Sequence, residues 1–208
     1  MESVREAALS RLADLTQAGA ERAAAAFAQL TGGPVEARPP VVREGGPGRA
    51  RGPLVLGAGA SGPGDGEGST GVFFEFEGCV DALVGILFSA EGSERLVRSV
   101  VGIESGALDP TIVESALMEV GNILASHVAS GIADALRSRL LPSIPALAQG
   151  RAEGEFEAWV ERVVGDTARR VEVELRRPGG DVVGRLVVVP SGPVAEDDLE
   201  ARGRVGRV

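Results

Sequence analysis

An acid and an amide stand three residues apart in the second half of this 208-residue chain. Glu119 and Asn122 belong to a longer pattern, Ser-x3-Glu-x2-Asn-x22-Pro, which begins at Ser115 and ends at Pro145. Residues at i and i+3 lie about one turn apart on the same face of a helix. A helix would therefore present a carboxylate and a carboxamide together to something outside the protein, and this pair is the first candidate for function.

The same spacing occurs 105 residues earlier, near the N-terminus. Ser10, Asp14, Gln17 and Pro40 repeat it, with the acid and the amide each changed to the neighbouring type. An isolated acid–amide pair would be interpreted as an ordinary solvated helix face. Two copies, each with a proline at the same distance, instead predict an internal duplication and favour a functional role for the pair.

The helix that carries the second pattern is predicted from its ends and its periodicity. Asp109 can cap it and Pro110 suits its first position, and we expect it to run to about Leu140 and to end before Pro142. Apolar residues recur at helical spacing on the side that should be buried. The opposite side carries small and polar residues, several of them mediocre helix formers: Ser115, Glu119, Asn122, Ser126, Ser130, Ala133 and Arg137.

The remaining segments predict an α+β fold. A long helix over residues 3–31 carries the first pattern, and an extended segment over 35–42 follows it. Further strands and shorter helices are predicted from alternating and helical periodicities: strands at 71–77, 83–88, 170–176 and 181–189, and helices at 93–101 and 155–164. We expect a pseudo-twofold repeat in which long helices pack on an antiparallel sheet.

One domain is expected over residues 1–190. The stretch 43–70 contains ten Gly and three Pro, and it is predicted to be a long insertion without an assigned role. Residues 191–208 are polar and are predicted to form a flexible tail.

Charge and hydropathy exclude some classes of partner. A net charge of −9 argues against nucleic acid and against an anionic membrane, because both need a basic surface. No signal peptide is visible, and no apolar run approaches the roughly 20 residues of a membrane-spanning helix. We therefore expect a cytoplasmic protein. Separately, we expect a monomer.

Other residue types that often carry chemistry are better explained by structure. Cys79 stands alone and lacks the basic neighbours that activate a thiolate, so no disulfide or metal site is expected there. His127 lies off the acid–amide face and is predicted to be a partly buried structural histidine, and Trp159 is predicted to lie in the core. The stretch 43–70 has no phosphate-binding-loop motif, and the acidic residues 196–198 are predicted to be solvated.

The segment ESALMEVGNILASHVASGIADAL, with its spacing to Pro145, resembles the CheC/CheX/FliY family of bacterial and archaeal chemotaxis phosphatases. The first copy, LADLTQAGAERAAAAFAQLTGGPVEARPPVV, is similar to the first motif of that family in altered form. The resemblance covers both long helices and both predicted strand pairs, and it fails over residues 43–70. It implies a CheC-like fold.

This resemblance implies a phosphatase that acts on the phospho-aspartate of a CheY-type response regulator. Glu119 would pair with the lysine of the receiver domain, and Asn122 would hold a water molecule for in-line attack. Ser115 and Ser126, on the same face, are the predicted substrate-binding residues. The chain would need no cofactor or metal of its own, because the Mg²⁺ of the receiver can neutralise the phosphate charge.

The first copy is predicted to be a degenerate site. Asp14 is one methylene shorter than the glutamate of the family, and Gln17 is one longer than its asparagine, so the two groups move out of register. Arg22 follows where the family favours small or amide residues, and it could crowd or repel the cation of the receiver. We expect catalysis through Glu119 and Asn122 alone.

A function of a different class stays open. CheC-like proteins also bind the receptor deamidase CheD, so the chain could be a non-enzymatic adaptor for CheD or for a receiver domain. Retention of both Glu119 and Asn122 favours the enzyme. A rotor-associated role of the FliY kind is disfavoured because no additional C-terminal domain is visible. The sequence leaves open which response regulator would be the substrate.

Overall fold

The computed structural model describes residues 2–44, 68–165 and 168–192. Within these ranges the chain forms four helices and eight strands, in this order: α1 (Glu2–Thr31), β1 (Glu36–Ala37), β2 (Val41–Glu44), β3 (Ser69–Gly78), β4 (Ala82–Phe88), α2 (Ala90–Val101), α3 (Pro110–Leu136), β5 (Leu140–Pro142), β6 (Ala146–Gly150), α4 (Ala152–Val163), β7 (Arg169–Arg176) and β8 (Val182–Pro190).

The eight strands form one antiparallel sheet. Its order is β1-β7-β8-β4-β3-β5, with β2 pairing along β7 beyond β1 and β6 pairing along β3 beyond β5. The short strands of each half therefore pair with the hairpin of the other half. Long helices on an antiparallel sheet confirm the predicted α+β class.

The strand register shows the pseudo-twofold repeat residue by residue. One row of paired residues crosses six strands from β2 to β6, and its two central members belong to β4 and β8. This row consists of Val41, Glu172, Val187, Gly85, Phe73 and Ala146. Its outermost members, Val41 and Ala146, are 105 residues apart, which is also the spacing between the two Ser-acid-amide patterns. The patterns therefore occupy equivalent places in the fold.

α1 and α3 lie on one face of the sheet and enclose the larger core between them and the strands. The two helices approach closely where Gly131 meets Gly19. A Cβ atom added at Gly131 would lie 2.6 Å from the Cα atom of Gly19 and 2.8 Å from the carbonyl oxygen of Ala18. Only a residue without a side chain allows this approach, so the glycines fix how the two motif-bearing helices cross.

α4 covers the other face of the sheet and builds a second, smaller core there. The ring of Phe73 lies 5.2 Å from that of Phe156 and 6.1 Å from that of Trp159, measured between ring centroids. Glu153 of α4 pairs with Arg185 of β8. Burial raises the pKa of Glu153, and the opposing effect of Arg185 is smaller.

The predicted C-terminal end of the second long helix is wrong. α3 ends at Leu136 rather than near Leu140, because Arg137 adopts a left-handed conformation with φ of 50° and its N–H group donates to the carbonyl oxygen of Ala133. Leu140 to Pro142 then pair with β3. A single residue in the left-handed region is a common way to end a helix, and the edge of β3 supplies the hydrogen bonds that helical continuation would have given.

Other predicted boundaries also differ from the observed ones. α2 and α4 each begin three residues earlier than predicted, at Ala90 and Ala152. The predicted insertion is shorter than 43–70, because residues 43–44 belong to β2 and 69–70 to β3. Its remaining part, 45–67, lies outside the described residues, as does the predicted tail from residue 193 onward.

Within the described ranges, no helix combines the length and the apolar character needed to cross a membrane.

Candidate functional site

The N-terminal end of α3 is fixed by the residues that the sequence indicated. The Asp109 side chain accepts a hydrogen bond of 2.8 Å from the backbone N–H of Thr111, and Pro110 occupies the first helical position. An N-cap of this kind typically contributes about 1 kcal/mol. The start of the helix, and with it the rotational position of the residues that follow, is therefore well defined.

The two sides of α3 divide as the helical periodicity predicts. Leu117, Val120, Leu124 and Ile132 are almost fully buried, whereas Val113 and Ile123 are half-buried and pack at the edge of the core. The opposite side forms an exposed stripe along the helix: Ser115, Glu119, Asn122, Ser126, Ser130 and Arg137. Ala133 is half-buried beside this stripe.

Glu119 and Asn122 lie together on this stripe, about 4.5 Å apart along the helix axis. Both side chains are exposed, and neither forms a hydrogen bond or an ion pair with the described part of the chain. Ser115 lies one turn before Glu119, and Ser126 lies one turn after Asn122. The structure therefore brings all four predicted residues of this site onto one accessible surface.

The backbone beneath the pair is held tightly against the sheet. A Cβ atom added at Gly121 would lie 2.6 Å from Cγ1 of Val72 on β3. The glycine lets α3 approach β3 more closely than any other residue would. Because Gly121 directly precedes Asn122, the carboxamide projects from a rigidly packed turn rather than from a loop.

The first motif is arranged differently, although Asp14 is exposed and occupies the equivalent place on α1. The Gln17 side chain is only half exposed, and its Nε2 donates a hydrogen bond of 2.9 Å to Oε1 of Glu21. The Oε1 atom of Gln17 is buried without a hydrogen-bond partner in the described structure. In the first motif, then, the amide nitrogen has a partner on its own helix and the amide oxygen is buried.

Arg22 lies near this first motif but has a partner. Its Nη1 lies 2.7 Å from Oδ2 of Asp134 on α3, and both side chains are largely exposed. An exposed ion pair of this kind contributes about 0–1 kcal/mol. Arg22 therefore links the two helices weakly, and its charge is partly compensated by Asp134.

The other residues that the sequence analysis considered for chemistry lie outside the acid–amide stripe. His127 is exposed on α3 next to the exposed Ser126, so the prediction of a partly buried histidine is wrong. Cys79 is buried, as expected for a small apolar residue. Trp159 is half-buried against Phe73 and Phe156. No cluster of His, Cys, Asp or Glu suited to a metal ion occurs within residues 2–44, 68–165 and 168–192.

Two features of the surface were not recognised from the sequence. One is Glu21, four residues after Gln17, a spacing at which glutamine and carboxylate side chains commonly meet. The other is a set of exposed apolar residues around the second motif, among them Ile112 and Ile144. Whether these residues are exposed depends on which distant parts of the chain pack over them, and sequence periodicity does not predict that packing.

Comparison with known proteins agrees with this geometry. Residues 112–147 match the model of the CheC-like family, and this segment contains the second motif from Ser115 to Pro145. A search of curated protein sequences gives no significant match.

Solved structures extend the likeness over most of the chain. FliY from Thermotoga maritima has a TM-score of 0.62 and 13% identity, with 94% of this chain and 93% of that chain covered. A chain of the CheX–CheY–BeF3–Mg²⁺ complex from Borrelia burgdorferi has a TM-score of 0.56 and 14% identity, with coverage of 86% and 99%. The FliM middle domain from H. pylori has a TM-score of 0.56 and 10% identity, with coverage of 94% and 97%.

At such low identities the structural likeness shows a shared fold. The segment matched by the family model carries the exposed acid–amide stripe, and the fold accounts for both long helices and the sheet. The segment 112–147 is therefore CheC-like, and the chain as a whole shares the fold of the CheX, FliY and FliM structures.

Proposed function

We propose that this chain is a protein-aspartyl-phosphate phosphatase that acts on a CheY-type response regulator in chemotaxis signalling. The observation that carries the proposal is the pair of Glu119 and Asn122, exposed together on a rigidly packed turn of α3 without partners in the described structure. The same segment matches the CheC-like family model. Unpartnered polar groups on a rigid element are already arranged to engage another molecule.

Docking comes first in the proposed mechanism. The Glu119 carboxylate pairs with a basic side chain beside the phosphorylated aspartate of the receiver. The serine hydroxyls of Ser115 and Ser126, one turn to either side of the pair, are available to hydrogen-bond the partner near the phosphoryl group. Neither hydroxyl adds negative charge, so the stripe can approach an anionic group.

Hydrolysis then depends on position. The Asn122 carboxamide accepts from and orients a water molecule in line with the bond between phosphorus and the aspartyl oxygen. The water oxygen forms a bond to phosphorus, the bond to the aspartyl oxygen breaks, and inorganic phosphate and a free carboxylate result. Phosphoryl transfer needs mainly a positioned nucleophile and neutralised charge, so an amide can suffice.

Charge neutralisation belongs to the partner in this proposal. Mg²⁺ bound by the receiver compensates the phosphoryl oxygens, and this chain contributes no metal ligand. Stimulated hydrolysis should therefore follow the Mg²⁺ occupancy of the receiver and stop when a chelator removes that ion. A stoichiometric metal that stays bound to the isolated chain, and that activity requires, would contradict this assignment.

The test of the proposed function is release of inorganic phosphate from a phosphorylated CheY-type receiver, with and without this chain. Acceleration that depends on Asn122 supports the phosphatase, and binding without acceleration favours an adaptor. A fold shared with the FliM middle domain means that the fold alone does not decide between these functions. A pull-down with CheD tests the adaptor alternative directly. The monomeric state and the cytoplasmic location of the chain stay predictions.

A further inference from the structure

Large apolar side chains are exposed at a few places on the described surface, and three of them accompany the second motif along the chain. Ile144 is 90% exposed, Leu141 is 67% exposed and Ile112 is 43% exposed. All three fall within the segment that runs from the start of α3 to the loop between β5 and β6. Clustered exposed apolar residues beside a polar site are typical of protein interaction surfaces.

Ile112 belongs to the same helical face as the catalytic pair. It precedes Glu119 by seven residues, which is two turns, or about 10 Å along the axis. Residues at i and i+7 lie nearly in line on a helix. A partner that reaches Glu119 along α3 therefore also meets Ile112.

Ile144 lies on the other side of the pair. Gly121 packs on Val72, and Val72 pairs with Leu147 near the start of β6. The turn of α3 that carries Asn122 is thus level with β6, and Ile144 lies shortly before β6, toward the C-terminal end of α3. Along the axis of α3, Ile112 therefore precedes the polar pair and Ile144 lies beyond it.

The internal repeat provides a control for this arrangement. At the equivalent positions 105 residues earlier, the first half has Ala7, Glu36 and Pro39 in place of the isoleucines and the leucine. The strand register supports this equivalence, since Leu141 pairs with Glu77 on β3 where Glu36 pairs with Arg176 on β7. At these three positions the first half has no large apolar residue, and its own exposed ones in the described structure are Val41 and Val42 on β2, directly after Pro40.

Charge on α3 indicates what covers this surface. The exposed residues between 112 and 133 include Glu114 and Glu119 and no Arg or Lys. The equivalent stretch of α1 mixes acidic residues with Arg11 and Arg22. The surface around Glu119 is therefore complementary to a basic group, and a second copy of this acidic chain would place like charges against each other.

We propose that Ile112 and Ile144 are docking residues for the protein that Glu119 and Asn122 engage. That partner is a phosphorylated receiver-type domain whose surface carries a basic side chain with apolar patches on both sides of it. The inference rests on the proposed function for the identity of the partner. In this proposal the two isoleucines raise the affinity for the receiver, and Asn122 sets the rate of phosphate hydrolysis.

The experiment separates affinity from turnover in the full chain. Binding is measured with a CheY-type receiver carrying BeF3⁻ and Mg²⁺, and turnover is measured with the phosphorylated receiver at saturation. The variants are Ile112→Ser, Ile144→Ser and both together, with Val163→Ser as a matched control because Val163 is 48% exposed on α4. The double variant should bind about tenfold more weakly, with saturated turnover unchanged and with the control like wild type.

The outcomes distinguish the two proposals. A double variant that binds within twofold of wild type overturns the docking inference while the phosphatase proposal stands. If the wild-type chain binds the receiver without turnover, and the double variant binds the receiver more weakly, the docking inference is supported and the phosphatase proposal is overturned. A wild-type chain that neither binds nor turns over the receiver overturns both. If the wild-type chain is a dimer and the double variant is a monomer, the surface serves self-association and the docking inference is overturned.

Discussion

α1 and α3 carry the same pattern in equivalent places of a duplicated fold, yet they present different chemistry. On α3, Asn122 is exposed and without a partner in the described structure. On α1, Gln17 donates to Glu21 at 2.9 Å, and its amide oxygen is buried. The difference shows that a motif can keep its spacing while one neighbour engages its key group.

The neighbour that matters is the residue four positions after the amide. It is Glu21 in the first copy and Ser126 in the second. Glutamate there occupies the amide and adds negative charge where an anionic phosphoryl group would approach, whereas serine does neither. Two features of the first motif therefore argue against activity there. One is the predicted loss of register between Asp14 and Gln17, and the other is the hydrogen bond from Gln17 to Glu21.

The largest effect should come from replacing the amide of the second motif with alanine. We expect Asn122→Ala to lower stimulated dephosphorylation by about 10²-fold or more, because positioning and preorganised polar contacts are worth that much. Glu119→Ala should weaken activity mainly through docking. Gln17→Ala is the matched control and should change the rate less than about twofold. Near-wild-type activity of Asn122→Ala in the phosphate-release assay would refute the mechanism.

A second substitution should convert the second motif toward the first. Ser126→Glu introduces a carboxylate one turn after Asn122, which can accept from the carboxamide and repel phosphate. We expect about a tenfold loss of saturated turnover, while Ser126→Ala should cost only a few-fold. Equal effects of the two variants would mean that the charge at this position is irrelevant.

The reverse conversion tests whether the first motif can be restored. In an Asn122→Ala background, the combined changes Asp14→Glu, Gln17→Asn and Glu21→Ser rebuild the pattern of α3 on α1. Turnover should rise about tenfold above the Asn122→Ala level, short of full recovery. The control carries only the first two changes. If both rebuilt chains stay at the background level although they remain folded, features beyond the three residues separate the helices.

The helix crossing offers a test of stability. Gly131→Ala forces a methyl group against the backbone at Gly19, and overpacking of this kind costs about 1–3 kcal/mol, partly offset by the better helix propensity of alanine. Gly154→Ala on α4 meets nothing within 4 Å and should be neutral or stabilising by up to about 1 kcal/mol. Urea denaturation of both variants measures the difference in unfolding free energy, and similar values would show that the close crossing is not needed.

The smallest effect belongs to the first motif itself. The double variant Asp14→Ala, Gln17→Ala should keep more than about half of the phosphatase activity, because the engaged carboxamide contributes little. Circular dichroism checks that the variant stays folded. Loss of half the activity or more in a folded variant would establish two working sites and remove the distinction drawn between the helices.

Much of the fold could be predicted from the sequence because its signals are local. The Asp109 cap, the Pro110 start and the helical spacing of Leu117, Val120 and Leu124 act within a turn or two of the chain, and each appears in the structure as expected. Equal spacing of the two motifs predicted the duplication, and the sheet register follows it. Pairings between distant strands could not be predicted in this way, so β5 and β6 were missed.

The sequence by itself determined which residues form the candidate site, since Ser115, Glu119, Asn122 and Ser126 share one helical face for reasons of periodicity alone. Only the tertiary structure decided which groups are available. Gly121 against Val72 and Gly131 against Gly19 set where the helices lie. In the packed molecule Asn122 is exposed and the Gln17 amide oxygen is buried. Exposure is a property of what surrounds a residue, and the surroundings come from distant parts of the chain.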